Sequence, residues 1–230
     1  MSFLTNFIDL LYPNLCLVCS ENLQQGESHL CLQCLHNIPK TNYHLHVDNA
    51  VEKLFWGKVP VERSTAYFFF QKGSPFQKVM HSLKYDNNTA IGEYIGKYAA
   101  HDLLEAPEFS TIDYIVPVPL HPEKLKLRGY NQCDYIAAGL SQVMEVPIES
   151  SVLKRIVENT SQTRKSIFER YQNAEGIFEL NDLQTFENKH IMLIDDVITT
   201  GSTLEACIKV LQKTKGIKIS VFALAMAVQK

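Results

Sequence analysis

Thirteen residues in the last quarter of the chain combine the side chains that a sugar-phosphate site needs. Four apolar residues, Ile191–Ile194, precede Asp195 and Asp196, and a run of threonine, glycine and serine follows at Thr199–Thr203. Carboxylates only accept hydrogen bonds at neutral pH, so an adjacent pair suits vicinal ribose hydroxyls. A glycine, several hydroxyls and the free N–H groups of a helix start suit a phosphate. The pattern predicts ribose and phosphate recognition at the end of a buried parallel strand.

A helix is predicted directly after this loop. Leu204, Cys207, Ile208 and Leu211 are spaced as one apolar face of a helix. An isolated pair of aspartates is usually a polar stop before a turn, but strand, loop and helix in this order favour a site. The chain has neither the G-x-x-x-x-G-K-[ST] nor the G-x-G-x-x-G motif, which argues against an ordinary ATPase or a dinucleotide fold.

Two cysteine pairs, Cys16-x2-Cys19 and Cys31-x2-Cys34, are spaced as the knuckles of a zinc ribbon. Their four thiolates can close a tetrahedral Zn2+ site, and four protein ligands leave no position for a substrate. The predicted zinc is therefore structural. A segment of about forty residues buries too little apolar surface to fold alone, so the metal is expected to supply much of its folding free energy.

Alternatives to a four-cysteine site stay open at the level of the sequence. The loop between the pairs is short, and His29 and His36 are close enough to replace a cysteine as ligands. Two disulfides or a redox-active C-x-x-C are further alternatives. Cys133 and Cys207 fall on apolar helix faces and are predicted to be buried small hydrophobic residues.

Composition indicates one α/β domain with a small appendage. The chain has 230 residues, 46% of them hydrophobic, and no segment of the length of a membrane span. Met1–Leu11 is apolar but lacks a basic n-region and contains Asp9, so we expect a short helix and not a secretory signal. A cytoplasmic, reducing compartment is the expectation that follows. The net charge of −3 gives no general support for nucleic-acid binding, although basic residues cluster at 124–128 and 154–170.

Apolar periodicity predicts alternating strands and helices through the rest of the chain. Strands are expected at residues 66–71, 112–118, 151–157, 191–194 and 218–228, and helices at 75–85, 91–104 and 136–144. The strand at 151–157 is expected to be the second core strand. Two prolines end the pairing of the strand at 112–118 and stiffen the turn after it, which is the candidate diphosphate loop: Pro117, Val118, Pro119 and Leu120.

The segment 191–203 resembles the signature of the type I phosphoribosyltransferases, in which four hydrophobic residues, two acids and two variable residues precede Thr-Thr-Gly-x-Thr. The resemblance implies a central, mostly parallel sheet flanked by helices, which binds 5-phosphoribosyl 1-diphosphate (PRPP) with Mg2+. It implies that Asp195 and Asp196 hold the ribose. The residues implied for the rest of the PRPP site, chiefly its 5-phosphate, are Val197, Thr199, Thr200, Gly201, Ser202 and Thr203.

The same resemblance implies a mobile loop that closes over PRPP and excludes water. The matching stretch is Val157–Ile177, which is rich in basic and amide side chains. Within it, Arg164 or Arg170 is expected to reach the diphosphate, and Arg128 is the other candidate. Arg or Lys would neutralise the leaving group while the two aspartates steady the ring, so these five residues are the predicted catalytic set: Asp195, Asp196, Arg128, Arg164 and Arg170.

A narrower resemblance covers nearly the whole chain. Val116–Pro122 and Arg128–Gln132 are similar to the signature of the ComF, or GntX-like, competence protein family. Lys84-Tyr85 fits an earlier segment of that family, and a later one is fitted by Arg155, Thr160, Gln162, Arg170, Asn173 and Phe178. Members carry an amino-terminal zinc finger before a phosphoribosyltransferase domain. We therefore expect a helix and zinc ribbon at 1–45 and a transferase-like domain at 46–230, with a hood at 46–110 and a PRPP-binding core at 111–230.

The acceptor is not predicted by the sequence, since we find neither a base-reading set of groups nor the glutaminase domain of an amidotransferase. His81, Lys84 and Tyr85 on the hood are the candidates for acceptor contact. Three functions stay open: a phosphoribosyltransferase with an unknown nitrogen acceptor, a non-catalytic PRPP sensor, and a competence factor. The third would act through single-stranded DNA or a helicase partner, although a ribbon poor in Lys and Arg disfavours tight DNA binding.

Overall fold

A four-stranded parallel sheet forms the centre of the protein. The computed structural model describes residues 13–156 and 177–228. The strand order is β1-β6-β5-β2, and each neighbouring pair is parallel. The strands are β1 (Ser64–Phe70), β2 (Tyr114–Pro117), β5 (His190–Ile198) and β6 (Lys218–Ala227). The predicted parallel sheet with flanking helices is confirmed.

Helices and short 3-10 turns cover both faces of this sheet. In the described part of the chain the helices are α1 (Leu32–His36), α2 (Gln77–Tyr85), α3 (Ala90–Leu103), α4 (Pro122–Arg128), α5 (Gln132–Met144) and α6 (Ser202–Leu211). The 3-10 turns are Tyr43–Leu45, Glu52–Leu54 and Pro107–Thr111. Residues of α2, α3 and α5 belong to the core on one face, and residues of α6 belong to the core on the other. No helix within residues 13–156 and 177–228 has the length and apolar character that crossing a membrane requires.

Helices α3 and α5 approach each other closely, and this approach fixes the start of α5. A Cβ atom built on Gly139 of α5 would come within 2.9 Å of the Lys97 backbone nitrogen, and one on Gly96 of α3 would come within 2.6 Å of the Ile136 carbonyl oxygen. Such distances leave no room for a side chain at either position. The amino end of α5, which begins at Gln132 beside the carboxyl ends of the strands, is therefore held firmly in place.

The prediction that residues 151–157 form the second strand of the core sheet is wrong. The short strand β3 (Leu153–Arg155) pairs antiparallel with β4 (Phe178–Leu180) in a separate two-stranded sheet. The position beside β2 is taken earlier in the chain, where Ile115 donates to the Pro147 carbonyl at 2.9 Å and accepts from Glu149 N–H at 2.9 Å. Pro117 of β2 has no N–H with which to donate the next hydrogen bond, so the pairing of this segment with β2 stops after these contacts.

The predicted hood shares the central sheet with the predicted core. Strand β1 lies within residues 46–110, yet it pairs with β6 along Ser64–Phe70. The outer edge of β1 is hydrogen-bonded by residues 39–41, where Thr41 N–H donates to the Tyr67 carbonyl at 3.0 Å and Phe69 N–H donates to the Pro39 carbonyl at 2.9 Å. The boundaries at 45/46 and 110/111 stay predictions. The expected amino-terminal helix lies outside the described residues.

Candidate functional site

The two acids lie on β5 just after the point where its pairing with β2 ends. Pairing between these strands ends at Pro117 opposite Ile194, whereas β5 stays paired with β6 as far as Ile198. Asp195 and Asp196 thus lie inside the strand, one and two residues beyond its last pair with β2, and not at its end as the sequence predicted. The missing neighbour opens a crevice at the carboxyl edge of the sheet, which is where ligands bind in such folds.

Asp196 is buried, with 6% of its surface exposed, and two donors meet one of its oxygens. Lys84 Nζ from α2 lies 3.0 Å from Asp196 Oδ2, and Gln132 Nε2 from α5 donates to the same oxygen at 2.7 Å. An ammonium and an amide therefore replace water as the partners of the Asp196 carboxylate. Burial of this carboxylate is tolerable because its charge is paired and hydrogen-bonded.

Asp195 is in a different electrostatic state. Its Oδ1 accepts the backbone N–H of Asp196 at 2.8 Å, and the buried thiol of Cys133 lies 4.0 Å away. Burial, followed by the negative charge of Asp196, raises the pKa of Asp195 to about 7. The two adjacent acids therefore differ: Asp196 has a fixed positive partner in Lys84, and Asp195 titrates near neutrality.

The predicted phosphate loop leads directly into α6. Gly201 is the N-cap of this ten-residue helix, with φ +77, and the hydroxyls of Thr200 and Ser202 lie 2.8 Å apart. A positive φ is adopted at little cost only by glycine. A small cavity of about 50 Å3 is lined by Asp195, Val197, Ile198, Thr199, Thr200, Gly201, Ser202, Thr203 and Leu204. The acid and the loop thus face one cavity at a helix start, which favours an anion.

The back of this loop rests on the turn at Glu52–Leu54. A Cβ atom on Gly201 would lie 3.3 Å from Phe55 Cε1 and 3.4 Å from Leu54 Cβ. Glu52 is itself held by the buried guanidinium of Arg63, with Arg63 Nε 3.0 Å from Glu52 Oε1. A part of the hood that the sequence did not connect with the site therefore supports the phosphate loop from behind.

The candidate diphosphate loop is tied to both β5 and α5. Val118 N–H donates to the Ile194 carbonyl at 2.8 Å, and Asn131 Nδ2 donates to the Val118 carbonyl at 3.1 Å. Asn131 also caps α5, since its side chain accepts from Cys133 N–H. Of this loop, Pro117 and Val118 are buried, and Pro119 and Leu120 are half-buried.

Arg128 ends α4 and joins the same network. One of its terminal nitrogens donates to Gln132 Oε1, and the guanidinium carbon lies 5.7 Å from the centroid of the Tyr85 ring. Gln132 therefore links Arg128 to Asp196. The structure brings together Asp195, Asp196, Lys84 and Arg128, as predicted for a site, although their roles stay predictions.

The predicted acceptor residues lie at the end of α2. Lys84 and Tyr85 line a pocket of about 470 Å3 together with residues of α4, whereas His81 is not among its lining residues. The His81 ring lies 5.0 Å from the Tyr85 ring, and His81 Nδ1 lies 3.5 Å from Asp86 Oδ2. Arg164, Arg170 and the predicted closing loop fall outside the described residues, except for Ile177.

The four ribbon cysteines form a cluster that can hold a metal ion. Their sulfur atoms all lie within 4.8 Å of one another, and Cys19 Sγ and Cys31 Sγ are 3.7 Å apart. Tetrahedral zinc with Zn–S bonds of about 2.3 Å requires sulfur separations of about 3.8 Å, so the donor set fits. All four are free thiols. Burial alone would raise the pKa of Cys16, but backbone N–H groups, including Cys31 N–H at 3.3 Å, lower it to about 6.

The alternative ligand His29 points elsewhere, since its ring lies 5.3 Å from that of Tyr94 on α3. The ribbon is packed onto the rest of the protein. Lys78 Nζ of α2 donates to the Val18 carbonyl at 2.9 Å, and Val18 lies within the first cysteine knuckle. Val18 and Leu30 share a core with residues of α2. Helix α2 therefore contacts the first cysteine knuckle near one end and Asp196 at the other.

Three residues of this network had no predicted role: Gln132, Asn131 and Lys78. Asn131 is an N-cap followed by a helix, a signal that sequence analysis can detect. Gln132 and Lys78 have long polar side chains on helices, which in a sequence are indistinguishable from solvated surface residues. Their contacts depend on how helices meet strands and loops that are remote in the chain.

Comparison with known proteins identifies close relatives of this chain. The model of the phosphoribosyl transferase domain family matches residues 131–229. Competence protein F of Haemophilus influenzae is 31% identical over 157 residues, which are 66% of this chain and 69% of that protein. DNA utilization protein YhgH of Escherichia coli is 26% identical over 213 residues, which are 91% of this chain and 89% of that protein. Competence protein ComFC of Bacillus subtilis is 33% identical over 111 residues, 48% of this chain and 43% of that protein.

The matches among solved structures are more distant in sequence. The glutamine PRPP amidotransferase of Bacillus subtilis is 15% identical with a TM-score of 0.43, and the match covers 62% of this chain and 30% of that one. The purine phosphoribosyltransferase of Pyrococcus horikoshii is 20% identical with a TM-score of 0.36, covering 59% of this chain and 73% of that one.

Proposed function

Since this chain belongs to the ComF-like family of competence proteins, we propose that it binds PRPP with Mg2+ and transfers its phosphoribosyl group to a nitrogen acceptor. The observation that carries this proposal is the cavity that Asp195 shares with Thr199–Thr203 at the start of α6. A ribose needs carboxylate acceptors for its hydroxyls, and a 5-phosphate needs hydroxyl and N–H donors one sugar length away. Both sets of groups lie in one continuous segment of the chain, residues 195–203.

In the proposed reaction, the acceptor nitrogen forms a bond to C1 of the ribose while the C1–O bond to diphosphate breaks. The bonding electron pair leaves with the diphosphate, and a proton on the nitrogen passes to solvent. Positive charge grows on the ribose as the bond breaks, so nearby carboxylates stabilise the transition state. Asp195 and Asp196 are proposed for this role, with Lys84 and Gln132 holding Asp196 in position.

Arg128, Arg164 and Arg170 are proposed to neutralise the diphosphate, and the loop Pro117–Leu120 to bind it through backbone groups. Mg2+ bound with the diphosphate would supply further charge neutralisation. The tie from Asn131 to the Val118 carbonyl keeps this loop near Asp196. The ionised form of Asp195, which accepts hydrogen bonds from the ribose hydroxyls, prevails only above its pKa of about 7.

Two other functions remain as proposals of lower rank. In the first, the protein binds PRPP as a sensor without turnover. In the second, it acts as a competence factor through single-stranded DNA or a helicase partner, a role favoured by the names of its relatives, Competence protein F and DNA utilization protein YhgH. The net charge of −3 favours a protein partner over direct DNA binding.

The metal cluster and the compartment complete the proposal. We propose that Cys16, Cys19, Cys31 and Cys34 hold one structural Zn2+, because their sulfur separations match tetrahedral thiolate ligation. Zinc thiolates are stable in a reducing compartment, so the protein is proposed to work in the cytoplasm.

Titration calorimetry with PRPP tests the proposal directly. The full chain is titrated with and without Mg2+, alongside Asp195→Asn and Asp196→Asn variants whose folding is checked by circular dichroism. Binding that needs Mg2+ and falls at least tenfold in the folded variants would support the site, and diphosphate release in an acceptor screen would then separate enzyme from sensor. Normal affinity in both variants would overturn the ribose assignment. Steeply salt-dependent binding to single-stranded DNA would favour the competence role.

A further inference from the structure

The pocket beside Lys84 is large enough for a second small molecule. We name it the Tyr85 pocket; it has a volume of about 470 Å3 and is lined by Lys84, Tyr85, Asn87, Lys124, Leu127, Arg128 and Tyr130. Sites for small ligands have volumes of about 300–1,000 Å3. Lys84 belongs both to this lining and to the ion pair with Asp196. The pocket therefore lies against the proposed ribose site and is separate from the phosphate cavity.

The charge of the lining favours an anion. Of the seven lining residues in the described part of the chain, three are basic and none is acidic. Lys84 already has Asp196 as its partner, so the surplus positive charge comes from Lys124 and Arg128. Arg128 donates one N–H to Gln132, and a guanidinium has five donors in a planar fork. Among residues 13–156 and 177–228 its remaining N–H groups have no other hydrogen-bond partner, and the guanidinium fork can bind a carboxylate with two parallel hydrogen bonds.

The walls of the pocket favour a planar, partly apolar ligand. Tyr85 is 70% exposed and Leu127 is 90% exposed, which is unusual for two large side chains next to each other in a pocket. The guanidinium of Arg128 makes a cation–π contact with the Tyr85 ring, and the exposed part of this ring offers a surface on which a planar group can stack. The Tyr130 hydroxyl donates to the Leu83 carbonyl at 2.6 Å, which holds the opposite wall in place.

We propose that the Tyr85 pocket binds a planar aromatic acid, with its ring against Tyr85 and Leu127 and its carboxylate on Arg128 and Lys124. This inference rests on the proposed transfer reaction. In that reaction the ligand of the pocket is the acceptor, an aromatic nitrogen compound that carries a negative charge. A diphosphate alone would satisfy the cations, but it would leave the tyrosine and leucine surfaces in water. The combination of exposed ring and guanidinium fork is what selects the aromatic acid.

The test uses the full, zinc-loaded protein and probes that share a pyridine ring and differ in the charge of their substituents. Pyridine-3-carboxylate, pyridine-2,3-dicarboxylate and the neutral pyridine-3-carboxamide are titrated by ligand-observed NMR. The carboxylates are expected to bind at least tenfold more tightly than the amide. Equal binding of acid and amide, or no binding of either carboxylate up to its solubility limit, would overturn the proposal.

Variants locate the probe within the pocket. Tyr85→Leu removes the ring but keeps an apolar side chain, and is expected to lower the carboxylate affinity at least tenfold, whereas Tyr85→Phe retains it. Tyr98→Leu on α3, at a tyrosine that is 37% exposed and outside the pocket, is the matched control and leaves the affinity unchanged. An unchanged affinity in Tyr85→Leu would contradict the proposed ring contact.

Competition separates this pocket from the diphosphate site. Inorganic diphosphate with Mg2+ is added to the protein that holds the carboxylate probe. Because Arg128 is proposed to serve both anions, a loss of probe affinity of less than tenfold is expected, and a larger loss would assign the pocket to the leaving group and overturn the proposal. Calorimetry with PRPP alone is run in parallel, so that failure of PRPP binding with retained probe binding would count against the proposed function and not against the pocket.

Discussion

Lys84 Nζ lies 3.0 Å from Asp196 Oδ2, so helix α2 supplies the counter-charge of a carboxylate on the central sheet. The pair is well shielded, with side-chain exposures of 24% for Lys84 and 8% for Asp196. A buried charge that loses its partner is expensive, whereas an exposed pair contributes little. This contact connects the part of the protein that follows the ribbon with the proposed ribose site.

Lys84→Met is expected to lower the free energy of unfolding by about 2 kcal/mol, a value between those of exposed and buried pairs. Lys97→Met is the matched control, because Lys97 pairs with Glu93 at 3.0 Å on an open helix face and should cost less than about 0.5 kcal/mol. Urea denaturation of both variants measures the difference. Equal losses of unfolding free energy in the two variants would mean that the Lys84–Asp196 pair stabilises the protein no more than the exposed Lys97–Glu93 pair.

The raised pKa of Asp195 predicts a pH dependence of stability. Its folded pKa is about 7 and its ordinary value is 3.8, so the unfolded chain releases the proton first. The free energy of unfolding contributed by this group therefore falls as pH rises from about 4 to about 7 and is constant above that, by about 2–4 kcal/mol in total. Denaturation of wild type and Asp195→Asn at pH 5 and pH 8 measures it. The stability difference between the two proteins should shift in favour of the variant at pH 8; a pH-independent difference would refute the assignment.

Removal of zinc is expected to destabilise more than the ribbon. Val18, Leu30 and Cys34 share a core with α2, so Cys16→Ser should lower stability by about 4 kcal/mol or more, equivalent to about 8–16 °C in Tm. Metal analysis should find one zinc per chain in wild type and none in the variant. Cys207→Ala, which removes a buried cysteine outside the cluster, should keep one zinc per chain. Wild-type protein purified without chelator that contains no zinc would sink the metal assignment.

Substitution of Gly201 separates backbone strain from crowding. Gly201→Ala places a side chain at φ +77 and 3.3 Å from Phe55 Cε1, and should cost about 2–3 kcal/mol and weaken PRPP binding. Gly26→Ala has a similar φ of +91 with nothing within 4 Å, and should cost only about 1–2 kcal/mol. Thermal denaturation compares the two. A loss of stability in Gly201→Ala no greater than in Gly26→Ala would show that the Phe55 side chain moves aside at little energetic cost.

The local parts of the site were predictable from the sequence because their signals are contiguous. The strand that carries Asp195, the glycine loop and the apolar face of α6 follow one another within a few residues, and periodicity detects each. The cysteine spacing likewise predicted a cluster that forms in the fold. The placement of β3 was not predictable, since an apolar segment gives no information about which strand it pairs with.

The contacts of the two acids could not be predicted from the sequence either. Lys84 and Gln132 are far from Asp196 in the chain, and a lysine at a helix end is usually solvated. Only the packing of α2 and α5 against β5 brings both donors to one oxygen. The sequence therefore indicated Asp195 and Asp196 as candidate site residues, but it could not predict that Asp196 is buried or that desolvation raises the pKa of Asp195.

The hydrogen bonds from residues 39–41 to β1 have a consequence for solubility. These residues leave the ribbon and occupy the N–H and C=O groups on the open side of an edge strand. An uncovered edge is a template on which a second chain can add a strand. If the proposed zinc is lost and this segment detaches, β1 would expose that template, so removal of the metal is expected to promote aggregation.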